Sequence, residues 1–255
     1  NEISKVSFQT FLDHGAMEAR DQIKDISEIA SKETSFQRLL ASMKTDWKGV
    51  LFGIQEFRNT GKWILKAVEE ITDKLDEDIA KLSSVLTSPY VKFLENDIVA
   101  ERNTLIQNQE IIDVWVKVQK HWQYLQPIFS SEDIIKQRPT EATKFASIQN
   151  LFVTVMENTR NTPSVPEACK QQKLFENLCY CFSTAEDIIK SLNDYLNQKR
   201  QAFPRFYFLP NEELLTILAQ TKEVRMIQKF LNKCFEGIET LTFTTPENII
   251  TKFNS

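Results

Sequence analysis

Between Val91 and Leu125 a single apolar stripe runs through Val91, Leu94, Ile98, Leu105, Ile112, Trp115 and Trp122, and no other feature limits the fold as tightly. Steps of three, four and seven residues keep side chains on one face of an α-helix but scatter them over both faces of a strand. A helix of about 35 residues rises about 50 Å at 1.5 Å per residue. That exceeds the width of a compact small domain, so the sequence predicts a mainly α, elongated multi-helix bundle or rod.

Composition agrees with that reading. The 255 residues are 42% hydrophobic, enough for a sizeable core, and only five Gly and eight Pro leave few tight turns for a many-stranded sandwich. Eighteen Phe against five Tyr suggest an aromatic interior. The net charge of −4, from 31 basic and 35 acidic residues, gives no electrostatic footprint for nucleic acid or an anionic membrane surface. No stretch approaches about 18 consecutive apolar residues, which argues against a membrane-spanning helix. Asn1 to Thr10 alternates polar and apolar residues, so no secretory signal is expected there. Cys169, Cys179, Cys181 and Cys234 make no ligand pattern, and reduced thiols in a cytosolic setting are expected.

Further stripes fill in the chain. Leu39, Leu40, Met43, Trp47, Val50 and Leu51 predict a helix ending near Gly53, and a hairpin is possible around Asn59-Thr60-Gly61. Ile64 through Leu86 reads as an amphipathic helix ending before Ser88-Pro89, with Asp73, Asp76, Glu77 and Asp78 as its solvated face. Pro127 is expected to stop the long helix. Thr140 is expected to cap a helix through Met156, and 161–166 is the clearest loop. Another helix should run from Pro166 to about Lys199. Asn211 is expected to cap a short helix, and Val224, Ile227, Phe230, Leu231 and Cys234 to mark one more. Phe206 to Leu209 reads as an aromatic strand, packed rather than exposed, pairing with Leu241 to Thr244 in a small antiparallel β element.

Site chemistry is hard to find. No stretch fits GxxxxGK[ST], the loop whose backbone N–H groups cradle phosphates, and the dinucleotide fingerprint is missing too. His14 and His121, the two histidines, are far apart in sequence and on predicted helix faces. Trp115 and Trp122 read as core anchors rather than a ligand cage. Lys199, Arg200 and Arg205 read either as solvated helix-end cations or as partners for acidic groups of a neighbouring domain.

Two blocks carry a family resemblance. Trp115 to Phe129 reads WVKVQKHWQYLQPIF, with Trp115, Trp122, Tyr124, Leu125, Pro127 and Phe129 as its marks and Ser130-Ser131-Glu132-Asp133-Ile134 following. Lys199 to Leu209 reads KRQAFPRFYFL, marked by Phe203, Pro204, Arg205, Phe206, Tyr207 and Phe208, with Leu214 to Leu218 following. In this pairing the chain resembles the linker region of dynein heavy chains, just ahead of the AAA+ motor ring. Glu33 to Phe36, Ser88 to Val91, Lys233 to Phe235 and Leu241 to Phe243 follow the family's order. The family's usual Trp-Arg pair near Leu151-Phe152 is missing. Leu125 to Asp133 looks more like axonemal heavy chains, particularly inner-arm types, than cytoplasmic ones.

The resemblance implies a mechanical lever that bends and straightens over the ring in the ATP-driven power stroke along microtubules. Residues 1–31 would lead from the tail, 32–138 would form one helical subdomain, and 139–255 a second with the small β element. The segment itself would be no enzyme and hold no cofactor or metal. ATP and Mg would sit in the ring of the full chain, a microtubule-motor ATPase. Its partners would be its own AAA+ ring, the tail and associated dynein chains, with the microtubule reached only through the rest of the heavy chain. The location implied is the axoneme of a cilium or flagellum, or the cytoplasm for a cytoplasmic linker. The rival class is a non-motor helical scaffold, such as a spectrin-like or tethering rod, but that would show a repeat period and no aromatic strand.

Overall fold

The computed structural model describes residues 8–13, 17, 19–219, 228–238, 240–244 and 249–254; His14, Val224 and Ile227 lie outside them. The helices are α1 (Phe8–Asp13), α2 (Arg20–Lys48), α3 (Glu69–Leu86), α4 (Glu95–Ile128), α5 (Glu132–Gln137), α6 (Pro139–Asn161), α7 (Val165–Cys169), α8 (Leu174–Ala202), α9 (Asn211–Ala219) and α10 (Leu231–Cys234). Strands β1 (Gly53–Glu56) and β2 (Trp63–Lys66) form one two-stranded sheet, and β3 (Thr240–Thr244) and β4 (Ile249–Asn254) another. The protein is mainly α, as the periodicity requires.

The chain packs as two units whose segments interleave along the sequence. The first comprises residues 1–53, 66–110 and 162–169, and the second 54–65, 111–161 and 170–255. In the first unit, α2 sets Leu40, Met43 and Trp47 into the core, while α3 contributes Ile71, Leu75 and Leu82 and the first half of α4 contributes Ile98 and Leu105. Residues 161–166, expected as a plain loop, are strapped down. The Phe52 amide donates to the Pro163 carbonyl at 2.8 Å, and the Val165 amide to the Val50 carbonyl at 3.0 Å. Such bonds satisfy backbone groups that a free loop would leave to water.

In the second unit α6 runs along α8, and the last half of α4 meets both, Trp122 stacking on Phe152 of α6 and His121 on Phe182 of α8. Pro139 occupies the first position of α6, where its missing N–H is one of the unpaired donors of a helix start anyway, so Thr140 is inside the helix and not its cap. The expected helix from Pro166 to Lys199 is divided. Lys173 takes a left-handed φ of 58°, which ends α7's segment and starts α8.

The hairpin of β1 and β2 replaces the start of the expected helix at Ile64, and α3 begins only at Glu69. Arg58, Asn59 and Gly61 have positive φ in its turn. Gly53 is required for a different reason, because a Cβ there would lie 2.8 Å from the Lys66 carbonyl oxygen. Gly53→Ala is therefore expected to cost about 1–3 kcal/mol through overpacking, readable as a lower midpoint in denaturant. An unchanged midpoint would show that the strands separate at no cost.

β3 pairs with β4 in antiparallel register, Thr240 opposite Asn254 and Thr244 opposite Ile249, with an irregularity between Thr242 and Phe243. The expected pairing of Phe206 to Leu209 with Leu241 to Thr244 is thus wrong. Residues Pro204–Phe208 form a 3₁₀ helix instead. Pro204 fixes φ at its start, and a five-residue segment tied to α8 has no free edge to offer a strand.

Candidate functional site

The Trp115–Phe129 block fills the centre of the second unit. Trp115, Trp122 and Leu125 are at most 1% exposed, on one face of α4. The Trp122 ring meets the edge of Phe57 at 5.2 Å and stacks on Phe152 at 5.0 Å, and Phe129 stacks on Phe145 at 5.0 Å. Both tryptophans are core anchors, as their helical spacing suggests. On the neighbouring turn Gln119 forks onto the hairpin: its Oε1 accepts from the Leu65 amide at 2.8 Å and its Nε2 donates to the Leu65 carbonyl at 3.0 Å. A side-chain amide thereby stands in for a neighbouring strand, leaving neither backbone group of Leu65 unpaired. Arg160 lies 4.1 Å over the Trp63 ring of the same hairpin.

Pro127 does not stop α4, which continues to Ile128. The Phe129 amide still reaches the Leu125 carbonyl at 3.0 Å across it. Because only the last turn follows, the proline removes one hydrogen bond, to Gln123, where a helix end begins to lose them in any case.

At that end the helix borders a cavity of about 600 Å³ lined by Tyr124, Pro127, Ile128, Ser130, Ser131 and Ile134, with Arg58, Gln123, Glu212, Leu215 and Thr216 closing it. Burial first, and then the Glu212 carboxylate, push the Tyr124 phenol above its usual value, so it stays a neutral hydrogen-bond donor at pH 7. Glu212 sits in the first turn of α9, where a carboxylate complements the helix dipole. The lining holds one cation, Arg58, one acid, Glu212, and the hydroxyls of Tyr124, Ser130, Ser131 and Thr216. Among the described residues, no group of three His, Cys, Asp or Glu could hold a metal ion. The four cysteines are free thiols, and burial raises Cys169 to about 12 and Cys181 to about 11.

The second block behaves differently from its expectation. Arg200 donates to the Leu209 carbonyl at 2.9 Å and Arg205 to the Cys234 carbonyl at 2.9 Å, and Arg205 also covers the Phe235 ring at 4.6 Å. Neither arginine is simply a solvated helix-end cation; both hold the turn to its surroundings. Phe203 contacts Phe206 at 4.8 Å, and Phe206 is half-buried. Tyr207 and Phe208 are 61% and 67% exposed, so the aromatic run is not packed as expected. In a strand, alternation would bury every second ring, whereas a 3₁₀ turn with three residues per turn sends neighbouring rings outward together. Phe206→Ala should cost about 1–2 kcal/mol, and Tyr207→Ala and Phe208→Ala less than about 0.5 kcal/mol each. Equal losses in urea unfolding for all three would contradict the turn.

Other polar residues escaped the sequence reading. Asp78, expected on a solvated face, is 3% exposed and accepts from Trp47 Nε1 at 3.0 Å, Lys74 Nζ at 3.1 Å and Lys81 Nζ at 3.1 Å. A signal existed, since Asp78 lies between Leu75 and Leu82 on their own stripe. Arg138 joins Glu141 at 2.8 Å and the Ser191 hydroxyl, bracing α6 against α8, and no sequence signal marks that triad.

A family model described as dynein heavy chain, N-terminal region 2, matches residues 1–255. Dynein axonemal heavy chain 12 of Rattus norvegicus is 42% identical over 230 residues, covering 90% of this chain and 7% of that protein. Dynein axonemal heavy chain 3 of Homo sapiens is 40% identical over 235 residues, 92% of this chain and 6% of the relative. Dynein axonemal heavy chain 1 of Mus musculus is 35% identical over 240 residues, 94% and 6%. The chain spans less than a tenth of the length of the curated relatives it matches.

Proposed function

We propose, from the premise that this chain belongs to the dynein heavy chain family, that it serves as the linker of an axonemal heavy chain, the lever that bends and straightens over the AAA+ ring. The observation that supports this most is α4. It is a 34-residue helix, about 50 Å long, whose second half buries Trp115 and Trp122 and is gripped by the hairpin through Gln119. A long helix held along its length by packed side chains resists bending, as force transmission needs. In this reading ATP and Mg are handled by the ring of the complete chain, and the segment does no chemistry of its own. Its partners are that ring, the tail and the associated dynein chains. The work is done in cilia or flagella, on microtubules gripped by another part of the heavy chain.

A lever whose stiffness depends on α4 should lose speed before it loses nucleotide turnover. Trp115→Ala with Trp122→Ala in the complete heavy chain is expected to slow microtubule gliding much more than it lowers basal ATPase. Gln119→Ala removes the grip on Leu65 while leaving the core, and gives the same comparison should the double variant fail to fold. Equal proportional losses in gliding and ATPase would overturn the lever reading.

A further inference from the structure

We propose that Ser130, in the link between α4 and α5, is a phosphorylation site for an acid-directed protein kinase, and that Arg58 on the hairpin turn receives the phosphate. Ser130 is exposed, and residues 129–131 alone separate Ile128 at the end of α4 from Glu132 at the start of α5. Glu132 and Asp133 stand two and three places after it, in the run Ser130-Ser131-Glu132-Asp133 that the lever reading leaves unused. A kinase with a basic substrate groove selects acids at those places, since the charge pattern along the peptide is what it reads.

Backbone availability separates Ser130 from other matches to that pattern. A kinase holds its target in an extended conformation, which the hydrogen bonds of a helix or sheet oppose. Every other described Ser or Thr with an acid three residues on lies in α1, α6, α8 or β3, apart from Ser164, whose backbone is bridged to Leu51. The Ser130 hydroxyl donates to the Gln126 carbonyl at 2.8 Å and accepts from Gln126 Nε2 at 3.2 Å. Both bonds are exposed, so water can replace them. Beyond the link, α5 has six residues, too few for a helix stable by itself, and opening its first turn frees the chain through Asp133.

The receiving cation lies across the cavity. Ser130 and Arg58 line the same space of about 600 Å³. Arg58 is exposed, rests over the Phe57 ring at 5.0 Å and has no carboxylate partner among the described residues. A phosphoserine brings about two negative charges at pH 7 and three acceptor oxygens, which a guanidinium can meet with two parallel N–H bonds. Glu212, Glu132 and Asp133 oppose the added charge. Glu212 and Glu132 are exposed and can turn into water, where repulsion is screened over about 10 Å, whereas Arg58 and the phosphate meet in contact. Pairing therefore prevails. In the transfer the Ser130 oxygen takes the γ-phosphoryl group of ATP, the bond to the β-phosphate breaks to release ADP, and the hydroxyl proton passes to the kinase's catalytic base.

The test incubates the complete, folded and dephosphorylated heavy chain with casein kinase II and Mg-ATP, and locates phosphate by mass spectrometry after digestion. Phosphate is expected on Ser130 and is lost in Ser130→Ala. Asp133→Asn should slow labelling by about tenfold, while Asp133→Glu, which keeps the charge, should restore it. In a second step a phosphatase is added to the labelled chain. Arg58→Gln, a change on an exposed turn, should speed removal from Ser130 by about threefold or more, because a paired phosphate is shielded. No phosphate on Ser130 in the folded chain, or labelling indifferent to the charge at 133, would overturn the site. Removal rates equal with and without Arg58 would overturn its role as receiver. These readouts are independent of the lever reading, which rests on gliding and ATPase.

Discussion

Replacing Trp122 with alanine is expected to cost about 3–5 kcal/mol, the largest single loss in the second unit. The side chain is 1% exposed and touches Phe57 from the hairpin and Phe152 from α6. Truncation would empty the space between three elements that cannot all move inward together. Trp122 Nε1 has no hydrogen-bond partner among the described residues, so the indole contributes volume and ring contact rather than a polar bond. Trp122→Phe should accordingly recover most of the loss and cost less than about 1.5 kcal/mol. Denaturant midpoints of the two variants decide it, and a Phe variant as damaged as the Ala variant would point to a polar role instead.

Asp78→Ala should lower stability by about 2–3 kcal/mol, because it strands the buried Trp47 Nε1–H that Asp78 accepts at 3.0 Å. The two lysines contribute less. Lys74 and Lys81 are 35% and 45% exposed, so both can turn to water once the carboxylate is gone. Asp78→Asn keeps an acceptor for the indole and should cost only about 1 kcal/mol. In a Trp47→Phe background, removing Asp78 should cost much less than it does in the parent chain. A cycle in which the two losses simply add would mean that the indole bond contributes nothing.

The helices were legible because their cause is local. The stripe from Val91 to Trp122 is buried as read, and α4 begins and ends within four residues of the expected limits. The cavity was not legible. Tyr124 and Pro127 are marks of the family block, but Glu212 and Arg58 reach them from elements distant in sequence, and no spacing rule connects the three segments.

Phe206 to Leu209 shows where sequence reasoning fails. A short aromatic run satisfies strand propensity, yet propensity is weak beside the bonds that Arg200 and Arg205 make to nearby carbonyls. Those arginines were legible as residues but not as clamps, because their acceptors are backbone groups that any sequence supplies. Thr240 to Thr244 did become a strand, paired with Ile249 to Asn254 close in the chain rather than with a distant segment. A short connection has the smaller closure entropy to overcome.

By itself the sequence determined that the chain is helical, which faces of α3, α4 and α6 turn inward, and which family it resembles, since a period of 3.6 residues is written in every turn. Tertiary structure alone decided that Asp78 accepts from the Trp47 indole, that Gln119 completes the hairpin and that Tyr207 and Phe208 face out. Each of those outcomes depends on a partner tens of residues away or on competition between two local conformations of similar energy, and a one-dimensional pattern carries neither distance.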